Sequence, residues 1–282
     1  MFIRHIKLPN VFINTCGLIA HIVILLCPIY SWASFDSGIS GKSLVIVESS
    51  HLALMFFSFS LLALMHVKYK NRLQNEIEFK SLQLMKSQED MISMFADSIE
   101  CRSGEMGTHV KRVSLISEKL AELYGLQDEE VKQIKIISPL HDLGKISAPD
   151  AVLYKESKLT EEEFEIIKTH TTMGYKILQG SDCELIQLAS IVAHEHHEKW
   201  NGKGYPLGKK KEEIHIFSRI VAVADVFEAL LSERPYKKPW SIDKVYELFE
   251  KERGHHFDPE LVDILLNNFD VFTEIYDKWE RS

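Results

Sequence analysis

Two apolar runs, Val11–Trp32 and Leu44–Val67, constrain this chain more than any other feature. Each reaches the roughly 20 residues that a helix needs to cross a bilayer. We read them as a transmembrane hairpin, residues 1–67. Arg4 and Lys7 precede the first run and Lys68, Lys70 and Arg72 follow the second, while the connection Ala33–Ser43 holds one lysine and one aspartate. That asymmetry puts both ends in the cytoplasm. An alternative treats the first run as a cleaved signal peptide, because Ser31-Trp32-Ala33 loosely resembles a cleavage site. The second run would then be a stop-transfer segment, and everything after Val67 would again be cytoplasmic. Helix pairing or snorkelling to the interface is the expectation for His21, Glu48 and His51 in or near the spans, with a haem, proton or quinone role as the alternative.

Residues 68–100 read as a polar helical linker. Leu73, Ile77, Leu84, Met91 and Met94 fall near heptad multiples, the pattern of a parallel stalk that would make a homodimer. Lys80 interrupts the stripe, so a plain connecting helix remains the alternative. From residue 101 to 282 helical signals succeed one another with no alternating strand, which predicts an all-α domain. Thr160 and Glu163 form a capping box at the start of a helix carrying Phe164, Ile167 and His170. Leu185, Leu188, Ala189, Val192 and His196 share one helical face, which aims His196 at the core. A net charge of −8 argues against a nucleic-acid polymer as partner.

The chemistry concentrates in a few places. "HEHHEKWNGKGYP", from His194 to Pro206, packs three of the chain's thirteen histidines into four residues and then breaks into a glycine-rich turn. Glu105 and His109 stand four apart, on one face of a helix. His141 and Asp142 are adjacent, with Pro139 expected to kink the preceding helix and Gly144 to end it. Neighbouring helical side chains diverge by about 100°, so such a pair can serve two ions rather than chelate one; His196–His197 is expected to do the same. Asp225 lies in the otherwise apolar "RIVAVADVFEAL", where a carboxylate demands a partner. The four cysteines form no CxxC pair. Imidazole and carboxylate donors without thiolates suit iron, manganese or zinc, and two or three such ions suit phosphodiester hydrolysis.

Taken together, "HDLGK", "HHEKWNGKGYP", "RIVAVADVFEALLSERPYKK" and "FDP" resemble, in order and approximate spacing, the HD-GYP branch of the HD-domain phosphohydrolases, over about Ser98 to Asn267. The resemblance implies an HD-domain helical bundle that hydrolyses cyclic di-GMP to pGpG and often on to GMP, in bacterial second-messenger signalling. It implies two or three divalent ions, iron or manganese. The apolar runs place the chain in the inner membrane, and the GYP loop is a candidate contact for a signalling partner. By motif it assigns metal ligation to His109, His141, Asp142 and Asp225, with Asp142 bridging, and adds His170, His196 and His197. Glu105 matches the glutamate of a third ion. Lys145 is expected at the phosphate, Tyr205 stacked on guanine, and Arg234 and Lys237 on phosphate oxygens. His194 matches no ligand position. Asn201 and Glu228 each replace a frequent aspartate, and neither is expected to touch a metal. Hydrolysis of another cyclic dinucleotide, or a silent receptor role, remains open at this level.

Overall fold

The computed structural model describes residues 41–103, 108–155, 157–233 and 238–278. The first apolar run lies outside them, as do Glu105, Arg234 and Lys237. Among the described residues every regular element is a helix, and the one extended pairing is an isolated bridge between Arg253 and Phe257. The all-α expectation holds.

A single helix, α1 (Gly41–Ser103), takes in the second apolar run and the linker. From Ser49 onward it is long and apolar enough to cross a membrane, with a stretch of mean hydropathy 1.7 whose side chains are not buried. The chain divides into two compact units, one ending at Ser81 and the other spanning Leu82–Ser282.

Within the second unit the elements are α2 (Thr108–Tyr124), α3 (Asp128–Ile137), the short turn α4 (Asp150–Leu153), α5 (Glu161–Leu178), α6 (Glu184–Glu195), α7 (Ile216–Leu231), α8 (Ile242–Glu252), α9 (Pro259–Asn267) and α10 (Phe269–Lys278). Caps explain several of the starts. Thr160 Oγ1 accepts from Glu163 N at 3.2 Å, and the Glu163 carboxylate accepts from Thr160 N at 2.7 Å, closing the expected capping box on α5. Asp258 accepts from Glu260 N at 2.9 Å, with Pro259 in the first turn of α9.

Helix α7 is the axis of the core. Ile220, Val221, Val223, Ala224 and Phe227 are all fully buried, and the Phe227 ring meets Phe249, Phe269 and Phe272 at 5.7–6.3 Å. Truncating such a ring costs about 3–5 kcal/mol. A helix apolar almost all round must be enclosed, so any acid on it is enclosed too. Asp225 and Glu228 are the two acids of α7, and the packing delivers both to the site.

The "HD" stretch departs from its expected local structure. Helix α3 stops at Ile137, and His141 and Asp142 lie between two 3₁₀ turns, Ser138–Leu140 and Leu143–Ser147, with Pro139 in the first. Gly144 sits inside the second turn and ends no helix. What it supplies is room: a Cβ there would lie 1.9 Å from the His170 carbonyl oxygen and 2.5 Å from Gly174 N. Only glycine lets this segment rest on the α5 backbone.

Candidate active site

The site is built from imidazoles fixed by their far nitrogens. Nδ1 of His141 lies 2.8 Å from the Ser138 carbonyl oxygen, Nδ1 of His170 lies 2.7 Å from that of Ile167, and Nδ1 of His196 lies 3.1 Å from both Val192 and Ala193 oxygens. A carbonyl oxygen only accepts, so each Nδ1 carries a proton, and Nε2 is the atom left to face an ion. Ser138, Val192 and Ala193 lie at or near helix ends, whereas Ile167 lies in the middle of α5, where its carbonyl accepts from the His170 ring in addition to its helical partner. His109 is fixed by a carboxylate instead: its Nδ1 makes a short hydrogen bond with Glu228. Glu228 also takes Arg112 at 3.2 Å and the Ser232 hydroxyl at 2.5 Å, and the Arg112 guanidinium lies 4.1 Å over the Tyr276 ring.

With Nδ1 secured, the Nε2 atoms converge. Those of His170 and His196 are 3.3 Å apart, at 3.2 and 3.8 Å from Asp142 Oδ1; Nε2 of His141 is 3.3 Å from Asp142 Oδ2. Asp225 Oδ1 lies 3.7 Å from Nε2 of His109 and 3.9 Å from Nε2 of His141. Two donor sets result, Asp142–His170–His196–His197 and His109–His141–Asp142, with Asp142 in both. His196 and His197 fall in one set, contrary to the splayed pair expected. The reason is local: α6 ends at Glu195, so His197 has left the helix and its ring lies 4.1 Å from that of His196. His141 and Asp142 likewise join one set, and Asp142 alone reaches into the other.

The donors fit divalent ions. His109 Nε2, His141 Nε2 and Asp142 Oδ1 are buried without a hydrogen-bond partner, an arrangement costing about 1–3 kcal/mol per atom unless something fills it. Nitrogen and oxygen donors without sulfur match iron, manganese or zinc. Protonation differs between the rings. Burial works against charge on His141, but Asp142 and then Asp225 outweigh it and raise the group. Burial, and then the neighbouring imidazoles, hold His196 well below its ordinary range; the same causes act on His197. Burial also lowers His170, so all three are neutral. Burial works against charge on His109 as well, but Glu228, Glu100 and Asp225 outweigh it and raise the group to about 10. A proton there occupies the position an ion would take, and binding an ion must release it. Asp142 stays ionised despite burial because Lys145 and His141 hold it well below the usual carboxylate range.

Of the residues expected at the substrate, Lys145 places its ammonium 2.6 Å from Asp142 Oδ2. The Tyr205 ring lies 4.8 Å from that of His197, with Lys168 Nζ 5.4 Å from its centroid. The loop bearing Tyr205 hangs on a buried carboxylate, Glu198, which accepts from Leu207 N at 2.6 Å and Gly208 N at 3.0 Å. Gly204 is needed there, since a Cβ would come within 2.3 Å of Lys199 N. Asn201 accepts from Lys203 N at 3.0 Å, a turn an aspartate would make equally well. His194 stacks on Tyr175 at 4.5 Å and belongs to neither donor set. Sequence reasoning missed Glu100, whose carboxylate is buried 3.4 Å from His109 Nε2, and Arg112. It also undervalued Glu228. The signal was present, since Glu228 is an acid in the same apolar helix as Asp225.

Residues 93–261 match the HD domain family. The chain belongs to that family. The likeness extends to parts of longer proteins. A 3′3′-cGAMP-specific phosphodiesterase of Vibrio cholerae is 42% identical over 203 residues, 71% of this chain and 39% of the relative. A cyclic di-GMP phosphodiesterase response regulator of Xanthomonas campestris is 46% identical over 177 residues, 63% of this chain and 47% of the relative. The chain thus spans less than half the length of these two relatives. The crystal structure of a cyclic GMP-AMP specific phosphodiesterase from V. cholerae covers 69% of the chain, with 52% of its own length matched, at 20% identity and a TM-score of 0.51, a likeness of fold.

Proposed function

We propose that this HD-domain protein is a membrane-tethered, metal-dependent phosphodiesterase of the HD-GYP branch that opens cyclic di-GMP to pGpG. The observation that carries the reading is the pair of donor sets sharing Asp142, with buried Nε2 and carboxylate atoms that make no hydrogen bond in the protein. Relatives named for cyclic di-GMP and cGAMP hydrolysis support it. Iron or manganese would be held by His109, His141, Asp142 and Asp225 on one side and by Asp142, His170, His196 and His197 on the other, with Glu105 serving a third ion. Bound ions would supply Lewis-acid activation of water and neutralise charge on the phosphate.

The protein's own groups then have distinct tasks. Backbone carbonyls and Glu228 orient the imidazoles, which must not rotate when the phosphate arrives. Lys145, held on Asp142, is placed to shift toward a phosphate oxygen as substrate enters. Tyr205 offers a ring at the edge of the centre for a guanine, and Arg234 and Lys237 neutralise the second phosphate. We assign residues 1–67 to a two-span inner-membrane anchor, 68–100 to a linker that pairs in a homodimer, and 101–282 to a cytoplasmic catalytic domain whose GYP loop meets a signalling partner. The exposed Ile77, Leu84, Met91 and Met94 of α1 support the pairing.

A second reading, hydrolysis of a mixed adenine-guanine cyclic dinucleotide, is favoured by the 42% identity to the cGAMP-specific relative. The test is turnover of both substrates by the full-length chain loaded with Mn(II), or anaerobically with Fe(II), with products resolved by chromatography. Preferential loss of cyclic di-GMP with pGpG appearing first supports the proposal. Preferential cleavage of the mixed dinucleotide would select the second reading, and turnover of neither would refute both.

A further inference from the structure

The Lys145 segment is gripped from two sides, and only one grip belongs to the helices bearing the metal donors. On one side Gly144 rests on α5 at the His170 carbonyl. On the other, the last turn of α1 reaches in: Arg102 donates to the Ala148 carbonyl at 2.9 Å, to the Lys145 carbonyl at 3.4 Å, to the Ile146 carbonyl through a short bond, and to Asp150 Oδ1 at 2.7 Å. The Lys145 and Ile146 carbonyls belong to the 3₁₀ turn Leu143–Ser147 and that of Ala148 to its C-cap; the Lys145 oxygen also accepts from Ala148 N at 3.0 Å. A guanidinium is suited to collecting several at once, because its donors are fixed in one plane.

We infer that Arg102 is a positioning residue for the reaction, acting through the backbone of Lys145–Ala148 to hold the Lys145 ammonium beside Asp142. The inference rests on the function proposed above for what Lys145 contacts, but not for the cap itself. His141 and Asp142 do not depend on Arg102. His141 is tied to the Ser138 carbonyl, and Asp142 lies before the glycine contact, so loss of the cap frees the Lys145 end while the metal donors stay in place. The cap comes from the same continuous helix that holds the candidate membrane span.

The experiment compares full-length wild type with Arg102→Ala, Arg102→Lys, Lys145→Ala and the Arg102→Ala/Lys145→Ala double variant. Amide hydrogen exchange reads the cap, manganese content reads the donor sets, and cyclic di-GMP turnover reads the consequence. Arg102→Ala is expected to speed exchange at Lys145 and Ala148, whose amides donate to the carbonyls of Asp142 and Lys145, with manganese content unchanged. Displacing a catalytic group by about an ångström costs roughly a hundredfold, so kcat/KM should fall by about ten- to a hundredfold. Arg102→Lys should recover part of it, and Arg102→Ala should add little to Lys145→Ala. Unchanged exchange, lost manganese, or a full multiplicative loss in the double variant would overturn the inference. If wild type turns over no cyclic dinucleotide, the functional reading falls and the exchange result alone decides the cap.

Discussion

At the scale of single residues, Glu228 shows most about how the centre is held. Its carboxylate is buried, with an ionisation held down at about 2: burial opposes the charge, but the His109 hydrogen bond, then Ser232 and Arg112, more than offset it. Glu228→Gln keeps the shape and an acceptor for His109 while removing the charge. Outer-shell partners of this kind typically change metal affinity about ten- to a hundredfold, so manganese titration of the variant should show a loss in that range with little change in helical content. Glu228→Ala should cost about 3–5 kcal/mol of stability as well, because it strands the Arg112 guanidinium in the core. Thermal melts of the two variants separate these effects. The donors themselves were legible as residue types: adjacent histidines and an acid in an apolar helix are hard to explain otherwise. Their anchors were not, since the partners of His141, His170 and His196 are backbone carbonyls, which every sequence possesses and only a fold aims.

At the scale of elements, helix starts followed capping chemistry and were readable, as at Thr160. Endings were less so. Gly144 has the appearance of a terminator in sequence, yet its work is a close approach to α5, a tertiary fact that no local pattern encodes. The GYP loop depends similarly on a distant segment: Trp200 and Asn201 donate from their amides to the carbonyls of His256 and His255, at 2.9 and 3.0 Å. His256 stacks on Phe257 at 4.1 Å, and burial, followed by Lys199, lowers its ionisation to about 4. The folded protein therefore prefers the neutral ring, whereas the unfolded chain takes a proton near 6.5. Stability from this group is complete above about pH 6.5 and declines as pH falls toward 4. Metal-free protein melted across that window should lose stability, and His256→Gln should lose measurably less. An identical pH dependence in the two would show that the ring does not contribute.

At the scale of the whole molecule, composition separated an apolar leading segment from a helical domain, and the motif set pointed to the HD domain family to which the chain belongs. The proposed pairing of residues 68–100 and the proposed membrane crossing depend on a partner chain and a bilayer, which a sequence only hints at through apolar stripes. The most direct test of the account is a side-by-side measurement on full-length wild type and Asp142→Ala, purified identically, of bound iron and manganese and of cyclic di-GMP turnover, before and after chelation and reloading. Asp142 alone belongs to both donor sets. Wild type should bind at least two ions, lose turnover on chelation and regain it on reloading, while Asp142→Ala keeps its helical content, loses metal and shows no turnover under any condition. Near-normal turnover by Asp142→Ala, or by chelated wild type, would contradict the assignment of this centre.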